Sequence, residues 1–268
     1  MNGSKAMTEW DAAEYARRSG LQQVMAEEVL ALLDLDGSER VLDIGCGDGK
    51  LTAEVASRVP RGAVTGVDAS QDMIAFASSH FGPAVRPNLR FAVADARHLN
   101  FKSEFNLVIS FNALHWIPEQ DAALRSIRSA MTPEGQAVLR LVPAGERKSL
   151  ENIVEETRLS PRWSAYFRDF GDPYLHLTPE QYGAAAERNG LRVLYLHKEA
   201  KAWDFQSRAA FFAFCSVGLV EWTRRLPEVE RPMFINDVLD RYQVVAVDRA
   251  GEENTFKFYQ MDVTLAPD

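Results

Sequence analysis

Val41-Leu42-Asp43-Ile44-Gly45-Cys46-Gly47-Asp48-Gly49 is a short apolar run that breaks into alternating glycines, and a helix-like pattern follows over residues 51–58. A buried strand that ends in a glycine-rich turn and opens a helix is the first step of a strand-helix-strand unit, and ligands bind at that turn. Further β-branched apolar runs occupy 63–67, 89–93, 107–111 and 137–141, separated by helical patterns at 72–79 and 119–131. Parallel strands need such long crossovers, because a tight turn joins only antiparallel neighbours. The expectation is a doubly wound α/β core.

The alternation resumes further on. Thr178-Pro179-Glu180 reads as an N-cap and first turn, a helix runs to Arg188, Asn189-Gly190 stops it, and strands follow at 191–196 and 255–265. Three segments stand outside this minimal plan. Residues 8–33 carry a helical pattern, and 148–174 place Trp163, Tyr166, Phe167 and Phe170 at helical spacing. Residues 207–247 begin with a stretch apolar all round (Phe211, Phe212, Phe214, Val217, Leu219), which must be covered by protein or by an apolar ligand. Core packing is the commoner use of such a stretch. These segments are expected to form a helical cap over the C-terminal edge of the sheet. The expected division is a cap region at 1–35, a ligand-binding core at 36–145, a cap insertion at 146–177, and a completion of the core at 178–268 with a second insertion at 206–248.

At 268 residues the chain is long enough for one elaborated domain, and 46% hydrophobic with 25% charged residues is ordinary globular usage. Lys and Arg number 30 against 38 Asp and Glu, a formal charge of −8, which repels phosphate backbones and argues against a nucleic-acid partner. Cys46 and Cys215 lie far apart with no CxxC or Cys/His cluster, so neither a disulfide framework nor a metal site is expected. No window offers about 18 uninterrupted apolar residues, and the start of the chain lacks a signal pattern. A cytoplasmic protein without membrane insertion is expected.

The charges around the glycine loop select its ligand. A dinucleotide fingerprint spaces its glycines G-x-G-x-x-G to seat a pyrophosphate, whereas here the third glycine comes one residue early. Asp43 at the strand's mouth and Asp48 in the loop would repel a pyrophosphate and attract a cation. S-adenosylmethionine, with a sulfonium, an α-ammonium and no phosphate, suits this site. Asp68 ends the second strand about twenty residues on, where a ribose diol is read, and Asp95 ends the third, placed to accept from an adenine amino group. A strand-terminal Asp is as often an N-cap or turn former. Three in order make the stronger case.

These residues resemble the first motifs of class I S-adenosylmethionine-dependent methyltransferases, an acid followed by Gly-x-Gly-x-Gly, and Asp43 to Gly49 match it without departure. The resemblance implies a Rossmann-like, mostly parallel seven-stranded sheet. It also implies that Gly45, Cys46 and Gly47 pass near the methionine part, that Asp68 and Asp95 hold the nucleoside, and that Ala69, Ala96 and Phe111 line the same site.

After the fourth strand comes Ser110-Phe111-Asn112-Ala113-Leu114-His115-Trp116-Ile117-Pro118. Taken alone, a His-Trp pair before a proline is as readily a packed turn as a site. The Ser-Phe-x-x-Leu-His-Trp string is similar to the juvenile hormone acid methyltransferases, and Leu-His-Trp also to the trans-aconitate methyltransferases, which make methyl esters. Tyr15 and Ser19-Gly20-Leu21-Gln22 are similar to the N-terminal motif of the first family. The resemblance implies that Gln22 and Trp116 clamp a substrate carboxylate, that Tyr15 closes over the methionine part, and that His115 shapes the site. The expected reaction is methylation of a small, largely apolar carboxylic acid (fatty, isoprenoid or aromatic). The alternatives are methylation of a phenol, nitrogen or carbon with His115 as base, or a cofactor-binding protein that transfers no methyl group.

Overall fold

The computed structural model describes residues 20–268, so the N-terminal helical pattern before Gly20, and with it Tyr15, lies outside the described residues. The chain divides into two units. One contains the residues up to Leu141, Pro179–His197 and Met261–Asp268; the other contains Val142–Thr178 and Lys198–Gln260.

The first unit is built on a seven-stranded sheet: β1 Arg40–Ile44, β2 Ala63–Asp68, β3 Leu89–Val93, β4 Phe105–Phe111, β5 Met131–Leu141, β6 Leu191–Asp204 and β7 Thr255–Pro267. Their order is β3-β2-β1-β4-β5-β7-β6. β1 to β5 pair in parallel and β7 runs antiparallel to β5, with Arg140 opposite Asp262. The order reverses between β1 and β4, and the crevice outside the carboxyl ends of those two strands is where a doubly wound sheet takes its ligand.

Four helices of this unit matter here: α1 Gly20–Ala31, α2 Lys50–Arg58, α3 Gln71–Phe81 and α4 Gln120–Ala130. α2 buries Thr52, Ala53, Val55 and Ala56, and three of these join Leu30, Val41, Val64, Leu89, Leu107 and Ile109 in the core on one face of the sheet. Burial of such side chains contributes about 1.5–3 kcal/mol for each of the larger ones. Ser70 caps α3 by accepting from the Met73 N–H. α1 falls in the region 1–35 expected to form part of the cap; its Leu30 is in the core, and the Leu30 carbonyl accepts from the Arg58 guanidinium at 3.2 Å.

The second unit differs from the expected insertions in its bounds, which fall at Val142 rather than 146 and take in 198–260 rather than 206–248. β6 runs to Asp204, beyond the expected 196, because residues 197–204 place polar and apolar side chains on both faces and hide the alternation. Its outer part belongs with the first half of β7: Lys198 lies 5.2 Å from the Tyr259 ring and Gln260 donates to Glu199. The helical reading of 148–174 is only partly right. α5 Leu150–Arg158 opens with a reciprocal Ser149–Asn152 capping box, but Pro161 ends the pattern, and Ser164–Phe167 form a 3-10 turn.

The aromatic residues of this unit largely cover one another. Trp163 meets Phe234 edge-on at 5.3 Å and donates its indole N–H to Asp237, while Trp222 donates to Glu155. In helix Arg208–Gly218, Phe211 and Cys215 are buried, and Phe211 stacks on Phe205 at 5.0 Å. Core packing thus accounts for that face of the apolar stretch. Among the described residues no helix is long and apolar enough to cross a membrane.

Candidate functional site

The turn after β1 is held by backbone geometry that glycine permits. Gly45, Gly47 and Gly49 have φ of +74°, +53° and +80°. The N–H groups of Gly45 and Cys46 both donate to the Val67 carbonyl, at 2.8 and 3.0 Å, which ties the turn to β2. A Cβ on Gly45 would lie 2.2 Å from the Ala113 Cβ, whereas one on Gly47 would meet nothing within 4 Å among the described residues. The turn therefore presses against the segment after β4 at Gly45 and leaves open space over Gly47.

Asp43 is buried and accepts a hydrogen bond of 2.6 Å from the Thr52 hydroxyl in the first turn of α2. Burial pushes its pKa from 3.8 up to about 7; the Thr52 hydrogen bond opposes this and the neighbouring Asp68 charge adds to it. A carboxyl raised by lack of counter-charge fits a cationic ligand, as the open cradle at Gly47 fits a close backbone approach. An acid with a higher pKa folded than unfolded contributes stability that is complete below pH 3.8 and is lost as pH rises to about 7. Binding a cation favours the ionised form, so affinity for S-adenosylmethionine is expected to rise from pH 5 to 7, by up to roughly tenfold per unit, and then level off. Calorimetric titrations across that range, compared with Asp43→Asn, check it: the variant should show a flat profile.

Asp68 accepts from the Gly47 N–H at 3.0 Å through one oxygen and from the Ser70 N–H at 2.9 Å through the other. Asp95 caps the 3-10 turn Ala96–His98 and is gripped through both oxygens by Arg97, which also reaches Glu119. Although burial pushes the Asp95 pKa up, the Arg97 hydrogen bonds and charge hold it below the usual range. The turn-forming use of these two acids is thus present in the structure. Ala96 is buried, and Ala69 and Phe111 are half-buried at the ends of β2 and β4.

Leu114–Trp116 form a 3-10 turn in which His115 is buried and Trp116 half-buried, their rings 5.9 Å apart. Gln120, at the start of α4, locks the turn by donating to the Leu114 and Ile117 carbonyls, each at 2.6 Å. Gln22 stands in the first turn of α1. Sequence reading missed Thr52, Arg97 and Gln120. Only Arg97 has a local signal, since an Asp two residues before an Arg at a turn can cap and pair at once.

Residues 41–135 match the family described as methyltransferase domain. The trans-aconitate 2-methyltransferase of Escherichia coli strain K12 is 27% identical over 236 residues, covering 85% of this chain and 86% of that one. Among solved structures, the phosphoethanolamine N-methyltransferase 2 of Haemonchus contortus, solved with S-adenosylmethionine, has a TM-score of 0.59 at 18% identity, covering 92% of this chain and 53% of that one. The [4+2]-cyclase SpnF has a TM-score of 0.60 at 18% identity, covering 97% and 86%. These two likenesses are of fold alone. The matches place a methyltransferase domain at residues 41–135, which contain the acid-glycine turn and the switch point beside it. The relatives the chain is similar to include trans-aconitate 2-methyltransferases.

Proposed function

We propose that this methyltransferase esterifies the carboxylate of a small, largely apolar acid. The observation that carries the reading is the Leu114-His115-Trp116 turn, locked by Gln120 directly after β4 and pressed through Ala113 against Gly45. The trans-aconitate 2-methyltransferases, named for a carboxylic acid substrate, support it over 85% of the chain. Arg140, the cation at this end of β5, is already bound by Asp262 and Glu28, which favours an acid with one carboxylate over a polyanion.

In this reading Asp43, Gly45, Cys46 and Gly47 surround the methionine part, with Tyr15 closing over it. Asp68 accepts from the ribose diol and Asp95 from the adenine amino group, while Ala69, Ala96 and Phe111 line the nucleoside. The bound cofactor supplies an electrophilic methyl group on a sulfonium. Gln22 and Trp116 orient the carboxylate with neutral N–H donors, which leave its nucleophilicity intact where an arginine fork would blunt it. A carboxylate with a pKa near 4 is ionised at pH 7, so its oxygen gains the methyl group while the old bonding pair stays on sulfur, and no proton moves. Alignment of the two partners supplies roughly 7–11 kcal/mol of barrier lowering. His115 shapes the turn.

The test is incubation with methyl-labelled cofactor and a pooled panel of fatty, isoprenoid, aromatic and tricarboxylic acids, followed by mild base. Release of labelled methanol is expected. Gln22→Ala and Trp116→Ala should each lower turnover roughly 10- to 100-fold, the worth of a hydrogen bond to a charged group, with cofactor affinity unchanged. A base-stable product whose formation collapses in His115→Ala would replace the ester with a phenol, nitrogen or carbon acceptor.

A further inference from the structure

β6 forms one side of the sheet: β7 pairs with its inner edge, and no strand among the described residues covers its outer edge. It runs for 14 residues, Leu191–Asp204, and holds neither proline nor glycine. A sheet edge presents a row of N–H and C=O groups with which a further strand can pair. Proteins guard such an edge by keeping it short, by placing proline in it or by studding it with lysine. β6 keeps only the last device, in Lys198 and Lys201, and Lys201 is tied to Glu199 on the same face at 3.0 Å. Lys198, Ala200 and Ala202 are exposed along the same stretch, so small side chains stand between the charges.

We infer that β6 pairs antiparallel with β6 of a second copy of this chain, about a twofold axis at Ala200. Symmetry and charge together choose this register. Residues opposite one another in an antiparallel pair point to the same face, and a twofold axis perpendicular to the sheet preserves the face. Because faces alternate along a strand, one residue must then lie opposite its own copy. An axis at Lys198, Glu199 or Lys201 sets a charge directly opposite itself, which destabilises the pair. An axis at His197 or Ala202 sets no acid opposite a base. At Ala200 a methyl group faces a methyl group, Glu199 faces Lys201 of the second copy, Lys201 faces its Glu199, and His197 faces its Trp203. Since Glu199 and Lys201 also pair along their own strand, four charges alternate in sign around the axis, each beside two of opposite sign. The lysine that deters other strands thus selects this one. Gln260 of β7 donates to Glu199 and steadies its carboxylate.

The experiment weighs the full-length protein by analytical ultracentrifugation with no cofactor or acceptor present, so its result is independent of the chemistry proposed above. Wild type should be a dimer. Glu199→Lys and Lys201→Glu each turn two attractive cross-strand pairs into two repulsive ones and should raise the dissociation constant at least about tenfold. Glu199→Lys/Lys201→Glu restores both pairs and should dimerise as wild type does, and an equimolar mixture of the two single variants should form a heterodimer. Circular dichroism matching wild type shows that each variant is folded. The register has its own readout. Opposite Cα atoms of an antiparallel pair lie about 4.5–5.5 Å apart, within disulfide range, so Ala200→Cys should cross-link two chains under oxidised glutathione. Ala202→Cys, opposite Lys198 of the second copy, should not, and the native Cys46 and Cys215 are buried. A monomeric wild type, single variants that dimerise as wild type does, a double variant that fails to recover, or cross-linking at 202 in place of 200 would each overturn the assignment.

Discussion

Gly45→Ala is expected to lose both stability and cofactor binding, whereas Gly47→Ala, two residues on in the same turn, should lose binding at a smaller stability cost of about 1–2 kcal/mol. The added methyl on Gly45 would sit 2.2 Å from the Ala113 Cβ, an atom fixed to the backbone that no rotamer change can clear. The residue would also keep φ near +74°, because the N–H groups of Gly45 and Cys46 are both committed to Val67. Strain of about 1–2 kcal/mol for the left-handed backbone and about 1–3 kcal/mol for overpacking add up to about 2–5 kcal/mol. Relieving the clash would push the turn away from the segment after β4 and open the crevice that seats the cofactor, so affinity should fall by roughly a hundredfold or more. At Gly47 the new methyl meets no atom of the described residues within 4 Å and carries only the backbone strain. It fills the space that the ligand needs. Denaturant unfolding and calorimetry on the two variants separate these effects; similar stability losses for both would mean that contact with Ala113 does not shape the turn.

The same turn shows what a sequence can and cannot disclose. Glycines at 45, 47 and 49 and an acid at 43 are legible because each answers a local demand, positive φ or a charge beside a strand end. The parallel core is legible for a similar reason: strands buried on both faces read as apolar runs. What escaped is what depends on distant residues. Thr52 on Asp43 and Gln120 on the Leu114 turn are ordinary helix residues until the fold turns them inward. The outer part of β6 escaped because neither of its faces is consistently apolar. The aromatic residues after Arg158 were read as helix because their spacing suits one, although Pro161 forces a turn.

The longest-range of these hidden contacts carries the second large expectation. Arg140 is 3% exposed at the end of β5, and its guanidinium grips Asp262 of β7 through two hydrogen bonds of 2.7 and 2.9 Å, across 122 residues of sequence. Its remaining nitrogen, Nη1, reaches Glu28 of α1 at 3.1 Å. Arg140→Met should destabilise the protein by about 3–5 kcal/mol, because the Asp262 carboxylate, with a side chain 14% exposed, would be left without a partner. Glu28→Gln should cost far less, about 0.2–1 kcal/mol, since that carboxylate is 35% exposed and water replaces its partner. The asymmetry predicts a rescue. In Arg140→Met/Asp262→Leu the only carboxylate left of the cluster is that of Glu28, which water reaches, and most of the lost stability should return, as it does when buried ion pairs are replaced as a pair by apolar side chains. Denaturant midpoints for the three variants decide it: a double variant no more stable than Arg140→Met would show that Arg140 acts through its packing and its tie to α1, and that the charge of Asp262 is not what its loss exposes.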